Sequence, residues 1–543
     1  MKKIALSLNI IILLFLNVKI QGQVDEWDWV NIIDCDYNYN MSPVAGTDKN
    51  SNVYIADNFG LSADFSDTII TSEEGQIFLS KYDRLGNFKW VKTFPCGSNI
   101  CDISYLTVFN SSVYVTGYFS ESISMDDTTL ISVDERDIFV AKFDTSGHLI
   151  SCFREGGTGY DEGKMILNMN HSSEFFLIGA FSESLNIGDT TFISADNIDF
   201  YIAKYHEPNQ FEWAIRGSGS GYTTAVAIGS DAENNVYITG RFDGNDLSIN
   251  DFTLEGSSGV STFLLKINPG GEISWLKNLP DPWYGFPLSM TIDPDNDVYI
   301  GGTFDASIFP QKYIMKFNPD GELLWSSGNG GYGCKSMIFA GEKIYTAGAL
   351  NGKARIGSHD YFTDSIYVAA EDMGWIYDTD ILAVELDQQG TAVQVVQVDD
   401  HHTEGIGETQ YAWSVSHNEN DIYTTGPFKG CGIFKGVDTL SGSGIFLGKL
   451  TMNNPQSIDQ FDAEARHLSV YPNPATRLIH VDVSGETNPE FTLNIISLYG
   501  RIIKTIQATD NSLDVNINDL SAGFYIIAVF DPDHYYCEKF MKQ

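Results

Sequence analysis

Apolar and polar positions alternate in short runs along almost the whole chain, separated by turns of Gly, Asn, Asp and Pro, which is the period-two pattern of β-strands. One run recurs. NNVYITGRF, ending at Phe242, has kin in SNVYIADNF at Phe59, SSVYVTGYF at Phe119, EFFLIGAF at Phe181, NDVYIGGTF at Phe304, KIYTAGAL at Leu350 and DIYTTGPF at Phe428. A second pattern alternates with it: IFLSKYDRLGNFKW ending at Trp90, FYIAKYHEPNQFEW at Trp213, TFLLKINPGGEISW at Trp275 and KYIMKFNPDGELLW at Trp325. Looser copies end at Ser151 and Gln394. Each of these is two strands around a turn, a β-hairpin. With an apolar strand just before the first pattern, such as TTAVAIGS from Thr223 to Ser230, each unit has four strands.

The aromatic of the first pattern serves as a ruler, at Tyr54, Tyr114, Phe176, Tyr237, Tyr299, Tyr345 and Tyr423, with spacings of 60, 62, 61, 62, 46 and 78 residues. Four strands at a near-fixed period predict a β-propeller, here of seven blades, each longer than the familiar 40 to 45 residues. The last hairpin, at Ile445 to Leu450, lacks its Trp strand, and EWDWV at Glu26 to Val30 supplies one. Trp29 precedes Tyr54 by 25 residues, as Trp90 precedes Tyr114 by 24. The ring is therefore expected to close by a three-plus-one clasp over residues 23–452. Glycines such as Gly117, Gly240 and Gly302 are expected to permit a close backbone approach or a bulge.

The vocabulary then changes. Residues 453–466 read as a polar linker, and 467–543 carry a new alternating pattern that predicts a small all-β sandwich. At the other end, Lys2, Lys3 and the apolar run from Ile4 to Val18 predict a signal peptide over 1–22. No cysteine follows that run until Cys35, so no lipid anchor is expected there, and no other apolar stretch is long enough to span a membrane as a helix.

A formal charge of -40, from 72 acidic and 32 basic residues, repels phosphate backbones and anionic headgroups, which sets nucleic acid aside as a partner. Seven cysteines in an exported chain permit disulfides, and Cys96 with Cys101 in PCGSNIC could close a short loop; the other reading is free buried thiols.

The repeats resemble the SBBP-type β-propeller repeats of bacterial exported proteins, whose pattern is NVYVTGxF followed by FVAKxDxxGxxxW. The copy with Glu385 in place of Lys departs from it. The C-terminal module resembles the type A sorting domain of the type IX secretion system through Tyr471, Pro472, Asn473 and Pro474 at its start, Gly500 in LYGR, and Leu520, Gly523 and Tyr525 in DLSAGFYII. Lys539 and Lys542 in the closing EKFMKQ match the family's basic end. The resemblance implies export across the outer membrane by the type IX machinery, followed by release or attachment at the cell surface.

Candidate chemistry is sparse. GSGSG at Gly217 to Gly221 puts its serines at the wrong offsets for a nucleophile elbow, and GALNGKA at Gly348 to Ala354 is one residue short of a phosphate loop. Asp399, Asp400, His401, His402, Glu404 and Glu408 are metal-ligand types in one loop, more simply read as a solvated polar segment. Asp293, Asp295 and Asp297 begin like a calcium loop but lack its later glycine and glutamate, so a hairpin turn is expected. Calcium suits so acidic a chain, though no site is located and no cofactor is required. Aromatics recur in the loops leading into each blade: Tyr39, Tyr160, Tyr222, Trp283, Tyr284 and Tyr332. Read as a ring on one face of the disk, they suit stacking against sugars; read as part of the repeat, they pack between blades. The expectation is a non-catalytic recognition scaffold for glycan or protein. The alternatives are a polysaccharide lyase or glycosidase with its site at the propeller channel, and a structural or adhesive surface component.

Overall fold

The computed structural model describes residues 27–542 except 36–40, 67, 73–75, 99, 170–172, 195–197, 257–258, 280–284, 305–310, 331–333, 352, 357–358, 363–364, 368–374, 378, 401–411, 419–420, 435–436, 452–466, 485–490, 498–501, 509–511, 519, 522 and 531–534. The signal peptide and linker expected from sequence lie outside the described residues. Two compact units separate, one over Gln23–Asn453 and one that includes Asn454–Gln543.

In the larger unit, seven antiparallel sheets follow one another among the described residues, five of four strands and two in which four such strands are extended by others, each a blade of a β-propeller. Blade 1 runs outward through Val44–Thr47, Val53–Phe59, Gln76–Tyr82 and Phe88–Pro95, and blade 2 through Cys101–Phe109, Ser112–Phe119, Asp137–Asp144 and Leu149–Glu155. Blades 3 to 6 begin at Asp161–Asn168, Thr223–Ser230, Gly285–Ile292 and Ser336–Ala340. Blade 7 is Ser414–Asn418, Asp421–Phe434 and Asp438–Thr451, completed by the N-terminal strand Trp27–Cys35, whose Trp29 and Ile33 pair with Lys449 and Ile445. The strand that sequence spacing assigned to the clasp is the one that closes the sheet.

Both faces of each blade are buried, which is why the recurring strand is almost continuously apolar. Tyr54 and Ala56 pack toward blade 2, while Val53 and Ile55 between them pack toward blade 7. The core is accordingly divided into clusters between consecutive blades, and the one joining Ile33, Tyr423 and Ile445 to Val53 and Phe78 returns blade 7 to blade 1. Tryptophan extends this packing. Trp90 lies under the turn glycine Gly147 of the next blade, Trp213 under Gly271 and Trp325 under Gly390, turns with φ between 75 and 86°. Trp29 meets Gly86 of blade 1 in the same way, and its Nε1 donates to the Arg84 carbonyl as that of Trp325 does to Gln388. Thus the tryptophans join neighbouring blades as well as covering outer strands.

The repeat's lysine and tyrosine face one another across strands two and three. Lys81, Lys142, Lys266 and Lys316 lie about 5 Å from the ring centroids of Tyr54, Tyr114, Tyr237 and Tyr299. The hydroxyls of Tyr54, Tyr237 and Tyr299 donate to Asp48, Asp231 and Asp293 in the hairpin turns. In blade 6, Glu385 replaces the lysine opposite Tyr345, and Lys343 pairs with it, so the charge is reversed and still compensated.

Small extra hairpins account for the long repeat. Asp246–Ile249 and Phe252–Glu255 leave blade 4 and pair with the outer strand of blade 3, Gly217 facing Ile249. Ser62–Asp64 of blade 1 covers the clasp strand similarly, Asp34 facing Asp64. Each blade here shields its neighbour's exposed edge.

The second unit is a sandwich. Its three-stranded sheet is His467–Tyr471, Leu478–Ser484 and Ser512–Asn516, and its four-stranded sheet is Ile502–Ala508, Phe491–Ser497, Gly523–Phe530 and Tyr535–Lys542. Ile479, Val481, Leu493, Ile495, Ile527 and Phe540 are buried in its core. Asn473 Oδ1 accepts the Met541 amide at 2.9 Å and Ala475 bridges Lys542, so the YPNP segment is tied to the last strand. Gly500 lies outside the described residues.

Candidate functional site

A bulge decides what faces the axis. Along the first strand of blades 2 to 5, pairing skips one residue between Ile103 and Tyr105, Gly163 and Met165, Ala225 and Ala227, and Pro287 and Ser289. Such a residue bends the strand and re-aims its side chain. The four skipped residues, Ser104, Lys164, Val226 and Leu288, all line a central cavity of about 570 Å³ bounded by the first strands of all the blades. Register places Lys335 and Trp413 at the same level in blades 6 and 7, where they also line the cavity, with the Lys335 Nζ 4.6 Å from the Trp413 ring centroid. Blades 2, 3, 6 and 7 therefore present polar or aromatic groups, and blades 4 and 5 aliphatic ones.

At the end where loops lead into the first strands, the lining gains Asp102, Glu162, Tyr118 and Arg136. Arg136 is held between two rings, 4.6 Å from Tyr118 and 4.5 Å from Tyr160. Burial pushes the Asp102 carboxyl up to about 7; the Asn58 amide, 3.1 Å from Asp102 Oδ1, and the Ile103 amide oppose this, Glu162 adds to it and Arg136 draws it down. Tyr118 is raised by burial and by the charge of Asp102. Lys335 is lowered by burial. Two carboxyls, three cations, two phenols and an indole thus line one cavity. The disulfide Cys96–Cys101 forms immediately beside Asp102 and joins blade 1 to blade 2.

Of the aromatics singled out from sequence, Tyr160 is 47% exposed and reaches the cavity through Arg136 alone. Tyr222 lies 5.3 Å from Arg241, whose guanidinium also sits 4.7 Å from Phe286. Neither ring lines the cavity. Tyr39, Trp283, Tyr284, Tyr332 and residues 401–411 of the candidate metal loop lie outside the described residues, while Asp399 and Asp400 form a short strand facing Ile433 and Gly432. The Asp293 turn is a closed one: Asp293 Oδ1 accepts the amides of Asp295 and Asp297, and Oδ2 faces Tyr299 and Lys316. Glu174, His206 and Glu212 gather metal-ligand atoms, but the ammonium of Lys204 sits among them, 2.9 Å from Glu174 and 3.0 Å from Glu212. This cluster is the ion pair of blade 3.

The cavity residues escaped the sequence reading because they differ from blade to blade. Their signal is a register position, in the apolar strand before the ruler aromatic, at which the repeats disagree.

A second carboxyl pair lies between blades 2 and 3. Asp137 and Asp161 are fully buried, and among the described residues Oδ1 of each has no hydrogen-bond partner. Arg154 pairs with Asp137 Oδ2, and the Gly157 amide donates to Asp161 Oδ2 at 2.7 Å. One blade on, the equivalent places hold Asp199 and Thr223, and Thr223 hydrogen-bonds Asp199. A protonated Asp161 restores that donor. Burial, with Asp137 adding to it, pushes Asp161 up to about 8. A carboxyl raised above its unfolded value of about 4 stabilises the fold fully below pH 4, and that contribution fades as pH rises to 8, by up to about 1.4 kcal/mol per pH unit. We expect urea midpoints to fall between pH 5 and pH 9, and Asp161→Asn, which keeps a donor, to flatten the fall. Equal slopes in both proteins would show that Asp161 is ionised throughout.

Residues 469–543 match the secretion system C-terminal sorting domain family. The uncharacterized WD repeat-containing protein L264 of Acanthamoeba polyphaga mimivirus is 22% identical over 230 residues, 38% of this chain and 16% of its own length. This chain thus spans well under a quarter of that relative. Among solved structures, polysaccharide lyase Uly1 is similar at 10% identity and a TM-score of 0.38, over 77% of this chain and 92% of its own. Drosophila Semaphorin 1b, extracellular domains 1-2, is similar at 7% and 0.36, over 80% and 88%. At these scores the fold stands on the strand pairing described above. The sorting domain marks a secreted or cell-surface protein handled by the type IX secretion machinery. No helix among the described residues is long and apolar enough to cross a membrane.

Proposed function

We propose that this is an exported seven-bladed propeller of the SBBP repeat type that acts as a recognition scaffold, and that its ligand, a glycan by preference over a protein, enters the central cavity beside Arg136, Tyr118 and Trp413. One observation carries the reading: residues at which the blades differ converge there, so the ring presents a lining that is neither symmetric nor apolar. Indole and phenol faces suit sugar rings, while carboxylates and cations suit hydroxyls. Tyr160 and Tyr222 would flank the opening. The test is a polysaccharide array probed with the full exported chain, reading retention and the release of reducing ends. We expect retention without release, weakened roughly tenfold by Trp413→Ala or Arg136→Ala, the usual loss for a buried aromatic or arginine anchor. Retention unchanged in both variants would place the ligand elsewhere.

A second reading has an observation of its own. Asp102, held near neutrality beside Glu162, Tyr118 and Arg136, is an acid–base set at the cavity, as a lyase or glycosidase requires. New reducing ends, abolished by Tyr118→Phe or Asp102→Asn with retention intact, would establish it in place of the first.

A further inference from the structure

The chain carries a formal charge of -40, yet its central cavity is lined by more cations than carboxyls. Arg136, Lys164 and Lys335 stand against Asp102 and Glu162, so the lining is net positive with every group ionised, and more so whenever Asp102 holds a proton. The repeat's own lysines show how this propeller treats a cation that it buries. Lys142, Lys204, Lys316 and Lys449 each meet a carboxylate, those of Glu207, Glu174, Asp297 and Asp421, at 2.8 to 3.2 Å. Lys335 is treated differently. It is half-buried, and burial alone lowers its ammonium, with no carboxylate paired to it among the described residues. Its Nζ instead lies over the Trp413 ring, 4.6 Å from the centroid, and both side chains line the cavity.

A cation drawn out of water without a counter-ion is costly, and an aromatic face returns only part of the lost hydration. An anion brought by a ligand supplies the rest. The acidic outer surface does not forbid this, because at physiological salt its repulsion is screened within about 8 Å, whereas charges lining a narrow cavity act at contact and through little water. We propose that the ligand of the cavity is an acidic glycan, one whose carboxylate or sulfate group meets the Lys335 ammonium beside Trp413 while its sugar ring packs against the indole. Lys164, at the same level in blade 3, and Arg136, at the end where loops enter the first strands, add to the positive lining that draws the acid group in. This deepens the recognition reading above and rests on it.

The test extends the polysaccharide array with pairs that share a backbone and differ in charge, polygalacturonate with its methyl ester and dextran sulfate with dextran, probed with the full exported chain at physiological salt. Retention on at least one charged member is expected to exceed that on its neutral partner by roughly tenfold or more, polygalacturonate marking a carboxylate as the recognised group and dextran sulfate a sulfate. Lys335→Met keeps the reach of the side chain and removes its charge, so it is expected to fold, to melt no lower than the parent and to lose that preference. Lys335→Arg is expected to keep it, and Lys335→Gln serves if the methionine variant misfolds. Retention confined to neutral glycans, or equal within every pair, overturns the acidic ligand and leaves the recognition scaffold standing, whereas retention of no glycan at all removes both. A charge preference untouched by the loss of the Lys335 ammonium overturns the proposal equally, by placing the acid group elsewhere.

Discussion

Replacing Gly240 by alanine is expected to cost the propeller on the order of 4–5 kcal/mol, or to prevent folding. A Cβ built on Gly240 falls 2.0 Å from the Thr224 carbonyl oxygen, and on Gly117 it falls 1.9 Å from that of Asp102. These carbonyls belong to the bulged strands, and neither can retreat without breaking the pairing that places Lys164 and its equivalents on the cavity. Backbone has no rotamer to change. Phe263 closes the other side of Gly240 at 2.8 Å. Gly270, whose added Cβ would meet only the Asn268 side chain at 3.3 Å, is the control. Urea unfolding of Gly240→Ala, Gly117→Ala and Gly270→Ala tests this. A Gly240→Ala midpoint close to that of Gly270→Ala would mean that the bulge can flatten cheaply.

Deleting Trp27–Cys35 is expected to abolish cooperative unfolding of the larger unit. The strand contributes Trp27 and Val30 to the cluster between blades 6 and 7, and Ile33 and Cys35 to that between blades 7 and 1. Trp27 is 2% exposed and meets Phe434 edge-on at 5.4 Å. Loss of that side chain alone is worth about 3–5 kcal/mol. Deletion also strips the partner from Asp438–Thr451, leaving a long apolar edge that invites aggregation. Size-exclusion chromatography and a circular-dichroism melt report both effects, and a synthetic peptide of residues 27–35 should restore the transition in part. A deleted protein that melts as sharply as the intact one would show that six complete blades hold the seventh without a clasp.

Much of this was legible in the sequence because the repeat states each strand several times in register. The NVYITG strand, its hairpin partner and even the displaced Trp29 announce themselves by periodicity. The glycine's role was half readable: Gly117, Gly240 and Gly302 signalled a close approach, but not which carbonyl approaches. What stayed hidden is what the repeat does not repeat. Lys164, Val226, Leu288, Lys335 and Trp413 share a position and no chemistry, so a search for recurring residues passed over them and selected Tyr160 and Tyr222, which stack on arginines.

The clasp also sets an order of events. Trp27–Cys35 precedes every other described strand of the propeller, and its partner strand ends at Thr451, so the pairing spans nearly the entire propeller. Contacts so distant in sequence form late. Through all of that interval the first strand has no sheet to join, and a chain interrupted anywhere before blade 7 never acquires one. The ring thus inspects its own completeness: a finished propeller holds its first and last strands in one sheet, whereas an unfinished one presents a loose strand and a bare edge for proteases to find.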